Sequence, residues 1–153
     1  QEAQSSQTRV CIVRIGLVLG MDGGALPKML PPYRLGLGGP MGSGSQMMSW
    51  IRVQDSVRAM LFLLEHEECS GIFNGTAPHP VSNREFSQTL AATLHRPHLF
   101  FVPAPLLQLV MGEAADLLLT GQKVIPARLQ QAGFHFSYPE LPSALTNLLH
   151  EPR

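Results

Sequence analysis

The chain has 153 residues, of which 44% are apolar and only 14% charged, and its formal net charge is zero. This length fits one domain with a sizeable buried core. Typical soluble domains carry roughly 25% charged residues, so the low fraction predicts extensive buried contact, in part with polypeptide outside this chain. Because nucleic acids are bound through clustered positive charge, the neutral balance argues against nucleic acid as a partner.

Membrane insertion, a disulfide framework and metal binding all lack a signal in the sequence. No apolar stretch reaches the roughly 18 residues that a transmembrane helix needs. The polar first eight residues include no signal-peptide core, so we expect a cytoplasmic or other intracellular location and no membrane partner. Cys11 and Cys69 form no CxxC motif, and the six histidines show no metal-ligand spacing. We therefore predict no metal site.

The first predicted element is a strand at residues 10–13. This run is continuously apolar and rich in β-branched residues, which is typical of a strand buried on both faces of a parallel sheet. Residues 14–20 are expected to lead from it into a loop. Ligands of open α/β sheets bind at the carboxyl ends of strands, so this loop is a candidate cofactor contact. A buried strand so near the first residue indicates a fragment of a larger fold.

Prolines and glycines dominate the next part of the chain. Residues 25–33 predict a helix that is short or broken, because it contains three prolines. Residues 36–45 contain five glycines and predict a loop with unusual backbone angles. Gly36, Gly39 and Gly42 match G-x-x-G-x-x-G formally. No predicted strand precedes them and no helix follows, so we interpret the segment as a loop lining a pocket, not as a phosphate-binding loop.

The remainder alternates short strands and helices. A strand at residues 47–53 carries the only tryptophan, and Asp55 is predicted to cap a helix whose apolar face is Val57, Met60, Leu61 and Leu64. Ser82 and Glu85 form a capping box. Further strands are expected at residues 71–76, 99–102 and 134–136, and further helices at residues 83–94, 103–112, 114–120, 126–131 and 141–149.

A few polar side chains are candidates for binding. Trp50 beside Arg52 offers stacking and charge, although composition alone favours a core tryptophan with a surface arginine. Arg14 ends a buried strand, where a charge needs a partner. No Tyr-x-x-x-Lys acid/base pair is present, so we name no catalytic residue.

The run from Val13 to Gly20, with Arg14, Gly16 and Val18-Leu19-Gly20, resembles a strand of the extended short-chain dehydrogenase/reductases. The continuations at residues 24–30, 35–44 and 50–55 are similar to NAD(P)-dependent epimerase-like proteins that end in a domain of unknown function and are sometimes labelled cell-division inhibitors. The resemblance extends over nearly the whole chain, as the carboxy-terminal half of such a protein. One departure is Arg52, where the family commonly has histidine.

The resemblance implies an α/β fold: the C-terminal part of a Rossmann-type doubly wound sheet, followed by a small mixed α+β substrate-side domain. It implies three segments, at residues 1–24, 25–100 and 101–149. Arg14, Gly16, Leu17 and Val18 would meet the nicotinamide of NADP, with NAD as the alternative. Arg34, Trp50 and Arg52 would face the substrate.

The function implied is that of a fragment of an NAD(P)-dependent oxidoreductase or epimerase acting on a small hydroxy or keto compound. The phosphate loop and the Tyr-Lys pair would lie in an N-terminal half that is its partner, so the chain alone is expected to be inactive. The alternative is a non-catalytic NADP(H)-binding regulatory protein of the same fold.

Overall fold

The computed structural model describes residues 8–103 and 121–150. The helices predicted at residues 103–112 and 114–120 therefore fall almost entirely outside the described residues. Within those ranges the elements, in chain order, are β1 (Cys11–Ile15), β2 (Leu17–Leu19), α1 (Leu26–Arg34), β3 (Met47–Met48), β4 (Trp50–Arg52), α2 (Val53–Glu65), β5 (Gly71–Gly75), β6 (Val81–Ser82), α3 (Asn83–Thr93), α4 (Ala127–Gln131) and α5 (Leu141–His150).

Two pairs of parallel strands form the sheet-like centre. β1 runs parallel to β5, and β2 runs parallel to β4. The chain changes from one pair to the other at Gly16, whose N–H donates to the Gly75 carbonyl (3.1 Å), while the next N–H, of Leu17, donates to the Ser49 carbonyl (2.8 Å). The predicted first strand is confirmed. The loop predicted from residue 14 is wrong, because the backbone finds a second strand partner immediately.

The faces of β1 differ from the prediction of burial on both sides. Val13 is half-buried against the core, whereas Ile12 is 48% exposed. Among the described residues, β5 is the only strand paired with β1. One face and one edge of β1 are thus open, which is unusual for the continuously apolar strands of parallel sheets.

Helix α2 follows β4 without a loop, and the structure shows a different role for Asp55 and an exposed apolar face. Its N-cap is Arg52, so Asp55 lies in the first turn and is no cap. The predicted apolar stripe does share a helical face, but that face is exposed, with Leu64 at 70%. The buried residues of the helix are Asp55, Ser56, Ala59 and Leu63. The sequence gives the helical period correctly but not which face the described residues cover.

Other predicted elements meet mixed outcomes. The N-cap bond of the predicted capping box is confirmed, since the Ser82 hydroxyl accepts from the Glu85 N–H (3.1 Å). Helix α1 continues through its prolines, because the backbone N–H groups of Leu35 and Leu37 still reach carbonyls in its last turn. The strand expected at residues 47–53 is divided at Ser49 into β3, which pairs with β6, and β4, which pairs with β2. The strands predicted at 99–102 and 134–136 are wrong, apart from an isolated bridge between Met41 and Val102.

Two apolar clusters hold these elements together. The larger packs α1, α3 and α5 around β2 and β4, with Trp50, Phe86 and Leu145 fully buried. The smaller packs α2 and α4 against β5, with Phe73 and Leu129 at its centre. Burying such side chains contributes roughly 1.5–3 kcal/mol each, so the clusters fix β2, β4 and β5 relative to the helices.

A segment from Gly121 to Ile125, here called the strap, covers the outer edge of β5. Asn74 Nδ2 donates to the Ile125 carbonyl (3.1 Å) and Thr76 Oγ1 to the Val124 carbonyl (3.3 Å). The Arg128 guanidinium, on α4, donates to the Ile72 and Ser70 carbonyls. Side chains from β5 and the residue after it therefore tether the strap, while Arg128 satisfies the Ile72 carbonyl of β5 itself.

Candidate functional site

The Gly16 turn lies where the carboxyl ends of β1 and β5 meet. A Cβ at this position would stand 2.2 Å from the Ser49 carbonyl oxygen and 2.9 Å from Thr76 Cγ2. Only glycine fits so close to another backbone. The carboxyl ends of parallel strands are where ligands of open α/β sheets bind, so the turn defines a candidate ligand corner.

The structure places the four cofactor candidates along this turn. Arg14 is exposed on β1, directly opposite Asn74 in the register of β5. Gly16, Leu17 and Val18 are half-buried. The four residues therefore form a continuous stretch that leads from the open strand into the turn.

The three substrate candidates are not equally placed. Trp50 is 0% exposed, and its indole N–H donates to the His79 carbonyl (3.1 Å). Its ring is therefore part of the core and supports β4. Arg34 is exposed at the end of α1. Arg34 thus lies on a different element from Trp50 and Arg52, which both lie in β4.

Arg52 is 1% exposed, contrary to the ordinary habit of arginine. Its guanidinium stacks on the Tyr138 ring at 3.9 Å from the centroid and donates to Gln54 Oε1 (2.7 Å). Stacking of this kind suits the planar guanidinium and not the ammonium of lysine. The arginine therefore joins the end of β4 to the segment that precedes α5.

Asp55 is a buried anchor that sequence reasoning assigned to another role. It is 0% exposed, and its carboxylate accepts from the backbone N–H groups of Ser137 and Tyr138 (both 2.9 Å) and from Arg58 Nη1 (2.8 Å). A carboxylate buried in this way is acceptable only because each oxygen has donors. Asp55 and Arg52 together fasten the C-terminal segment to the first turn of α2.

Ser49 was also missed by the sequence reasoning. Its hydroxyl donates to the Gln122 carbonyl (2.7 Å) and accepts from the Val124 N–H (2.9 Å). Nothing in the local sequence signals this, because the two partners lie more than seventy residues away. The clamp holds the strap beside the Gly16 turn, since the Ser49 carbonyl packs against Gly16 itself.

The glycine-rich loop is pinned by a buried hydrogen-bond chain. The Tyr33 hydroxyl donates to the Gly39 carbonyl (3.2 Å) and shares a hydrogen bond with Ser87 Oγ (2.6 Å), which in turn meets His98 Nε2 (2.8 Å). Burial raises the pKa of the Tyr33 hydroxyl, and its hydrogen bond with Ser87 opposes that rise. The loop is thus a fixed wall, held from α1 and α3.

Two further properties bear on the kind of site. Within residues 8–103 and 121–150, no three His, Cys, Asp or Glu side chains are grouped so that they could hold a metal ion. The same part of the chain contains no helix of the length and apolarity needed to span a membrane.

Comparison with known proteins identifies the class. The model of the NAD dependent epimerase/dehydratase family matches residues 1–74, and that of a domain of unknown function, DUF1731, matches residues 102–148. The chain is 48% identical over 143 residues to an epimerase family protein of Staphylococcus saprophyticus, and 46% identical over 143 residues to the epimerase family protein SDR39U1 of Mus musculus. These matches cover 94% and 93% of the chain, but 48% and 49% of the relatives.

Solved structures of epimerase-like proteins are similar to the chain as well. The crystal structure of human SDR39U1 with NADPH matches 96% of the chain and 50% of its own, with a TM-score of 0.92 and 43% identity. A nucleoside-diphosphate sugar epimerase from Corynebacterium glutamicum matches 96% of the chain and 27% of its own, with a TM-score of 0.74 and 28% identity. The fold is thus the Rossmann-type α/β fold predicted from the sequence.

Residues 1–74 match the NAD-dependent epimerase/dehydratase family, and the whole chain is similar to epimerase family proteins, in agreement with its resemblance to the extended short-chain dehydrogenase/reductases. Residues 102–148 carry the match to the domain of unknown function. The chain spans about half the length of the curated relatives it matches.

Proposed function

We propose that this chain is the substrate-side half of an NADP(H)-dependent oxidoreductase or epimerase that acts on a small hydroxy or keto compound. NAD is the alternative cofactor. The observation that carries the proposal is the Gly16 turn, where two parallel strands end against a backbone that only glycine can approach. The NADPH bound to human SDR39U1, a structural match to the chain, supports it.

The residues of this chain divide into cofactor and substrate roles. Gly16, Leu17 and Val18 offer backbone groups and apolar contact to the nicotinamide ring, and Arg14 supports them from β1. Arg34 and Arg52 provide positive charge on the substrate side, with Arg52 acting through Tyr138. Trp50 stiffens β4 from within the core. The cofactor, when bound, supplies the hydride; this chain orients it.

The partner of the chain is an N-terminal half of the same fold, which carries the phosphate loop and the Tyr-Lys pair. The open edge of β1 and the exposed face of α2 support this proposal. A groove of about 390 Å³ separates them, lined in part by Val13, Met60 and Leu64. Monomers seldom expose large contiguous apolar patches, and a parallel sheet is ordinarily covered on both faces.

The cofactor proposal predicts a saturable change in NADPH fluorescence when full-length protein is titrated. Oxidation of the bound NADPH by carbonyl compounds would then identify an enzyme. Saturable binding without turnover over a broad carbonyl panel would favour the regulatory alternative. No fluorescence change at millimolar NADPH would contradict the proposed function in both forms.

The partner proposal predicts that this chain, produced together with the separate N-terminal half, copurifies with it. Leu64→Lys should weaken that association by at least tenfold, since charge on a buried apolar contact costs about 1.4 kcal/mol or more. Leu35→Lys is the matched control, because Leu35 is 74% exposed on α1's C-cap. Equal effects of the two substitutions, measured by surface plasmon resonance, would refute the assigned surface.

A further inference from the structure

We propose that Lys123 recognises an anionic group of the substrate, a carboxylate or a phosphate, and that Ser49 positions it. The inference rests on the proposed function for the site of the reaction, and it names the substrate class for that site. It arises from the strap, which crosses the ligand corner and whose central residue is this lysine.

The strap is fixed at its start and centre. A Cβ on Gly121 would stand 1.9 Å from the Met47 carbonyl oxygen, so the two backbones are in direct contact. Ser49 Oγ then bonds the residues on both sides of Lys123, at 2.7 and 2.9 Å. The Ser49 hydroxyl thus fixes the backbone on both sides of Lys123, through the Gln122 carbonyl and the Val124 N–H.

The strap is fixed at its end as well. Thr76 Oγ1 donates to the Val124 carbonyl and Asn74 Nδ2 to the Ile125 carbonyl. These side chains come from the carboxyl end of β5 and the residue after it, beside the Gly16 turn. Lys123 therefore stands at the edge of the sheet where the nicotinamide is proposed to bind. Preorganised backbone lowers the entropic cost of using the side chain for recognition.

Lys123 is the charged side chain of the strap, and its exposure leaves it available to a ligand. Lys123 is exposed, and the ion pairs among the described residues are Arg58–Asp55 and His79–Glu140. Neither pair includes Lys123. Arg52, by contrast, is buried and stacked on Tyr138. A compact ammonium with three donors is suited to carboxylate or phosphate oxygens.

The chain offers a matched control, because its only other lysine, Lys28, is also exposed and lies on α1. Full-length protein, with and without NADPH, is titrated calorimetrically with oxalate and with pyrophosphate at low ionic strength, which limits screening. We expect Lys123→Gln to weaken at least one of these anions about tenfold. Lys123→Arg should retain most of the affinity, Lys28→Gln should have no effect, and NADPH affinity should be unchanged throughout.

The positioning role of Ser49 is tested by a double-mutant cycle. Ser49→Ala should weaken the same anion, but it should add little in the Lys123→Gln background, because the two residues act through one contact. Additive losses would refute the positioning role. The recognition role is overturned if wild-type protein binds neither anion, or if Lys123→Gln and Lys28→Gln behave alike. A failure to bind NADPH would instead overturn the proposed function. The anion titration without NADPH would still measure the contribution of Lys123 to anion affinity.

Discussion

Asp55→Ala will lower the free energy of unfolding by about 2–4 kcal/mol, because it leaves two backbone N–H groups without their acceptor. The carboxylate is fully buried and has three donors, two of them backbone N–H groups. Without it, the part-buried N–H groups of Ser137 and Tyr138 lose their acceptor, at a cost of about 1–2 kcal/mol each. Urea unfolding of the full-length protein, followed by circular dichroism, measures the difference.

Arg58→Ala is the matched control for this prediction. The Arg58 side chain is 46% exposed, so its ion pair with Asp55 is partly screened. We expect a loss of only about 1 kcal/mol, as for exposed pairs. If Arg58→Ala costs as much as Asp55→Ala, the ion pair and not the backbone anchoring holds the C-terminal segment, and our account of Asp55 is wrong.

Asp55 also shows where sequence reasoning reached its limit. An aspartate just before an apolar stripe is a good helix cap by local rules. The competing use, acceptance of hydrogen bonds from Ser137 and Tyr138, is more than eighty residues away in sequence. Local patterns cannot reveal such a partner. The Ser82 capping box was predictable because both of its members belong to one turn.

Which face of helix α2 is buried could not be predicted, for a related reason. Periodicity finds an apolar face but does not say what covers it. Within the described residues, the helix uses Ala59 and Leu63 for its core contact, while Met60 and Leu64 remain exposed. Both faces are apolar, as expected of a helix packed between two layers. The same holds for β1, where one side chain in two meets the core.

The place of one candidate segment in the fold could be anticipated from the sequence, while its contact with a cofactor stays a prediction. The segment from Arg14 to Val18 was recognisable from its resemblance to a known family, and in the structure it runs from the carboxyl end of β1 into the start of β2. The steric requirement at Gly16 was not predictable, because it depends on the carbonyl of Ser49 from another strand. The clamp on the strap depends on the same residue. Such close approaches follow from packing and not from residue spacing.

Gly16→Ala is therefore expected to be the most damaging single-methyl change at the ligand corner. The added Cβ would stand 2.2 Å from a backbone oxygen, which cannot move without displacing β4. We expect a loss of about 3 kcal/mol in unfolding free energy, since overpacking against fixed neighbours costs 1–3 kcal/mol or more. On the proposed function, NADPH affinity should fall as well, because β4 pairs with β2, and β2 continues directly from the turn proposed to meet the nicotinamide.

Two nearby glycines make this prediction specific. A Cβ on Gly23 would meet nothing within 4 Å, and one on Gly20 would make ordinary contact with Val53 at 3.5 Å. Neither alanine substitution should cost more than about 0.5 kcal/mol, and the loss of unfolded-state freedom can even stabilise the protein slightly. Thermal and urea unfolding of the three variants in parallel separate the effects. Equal stability of the Gly16→Ala and Gly23→Ala proteins would show that the strands can part at this point, and the turn would no longer qualify as a rigid seat for a cofactor.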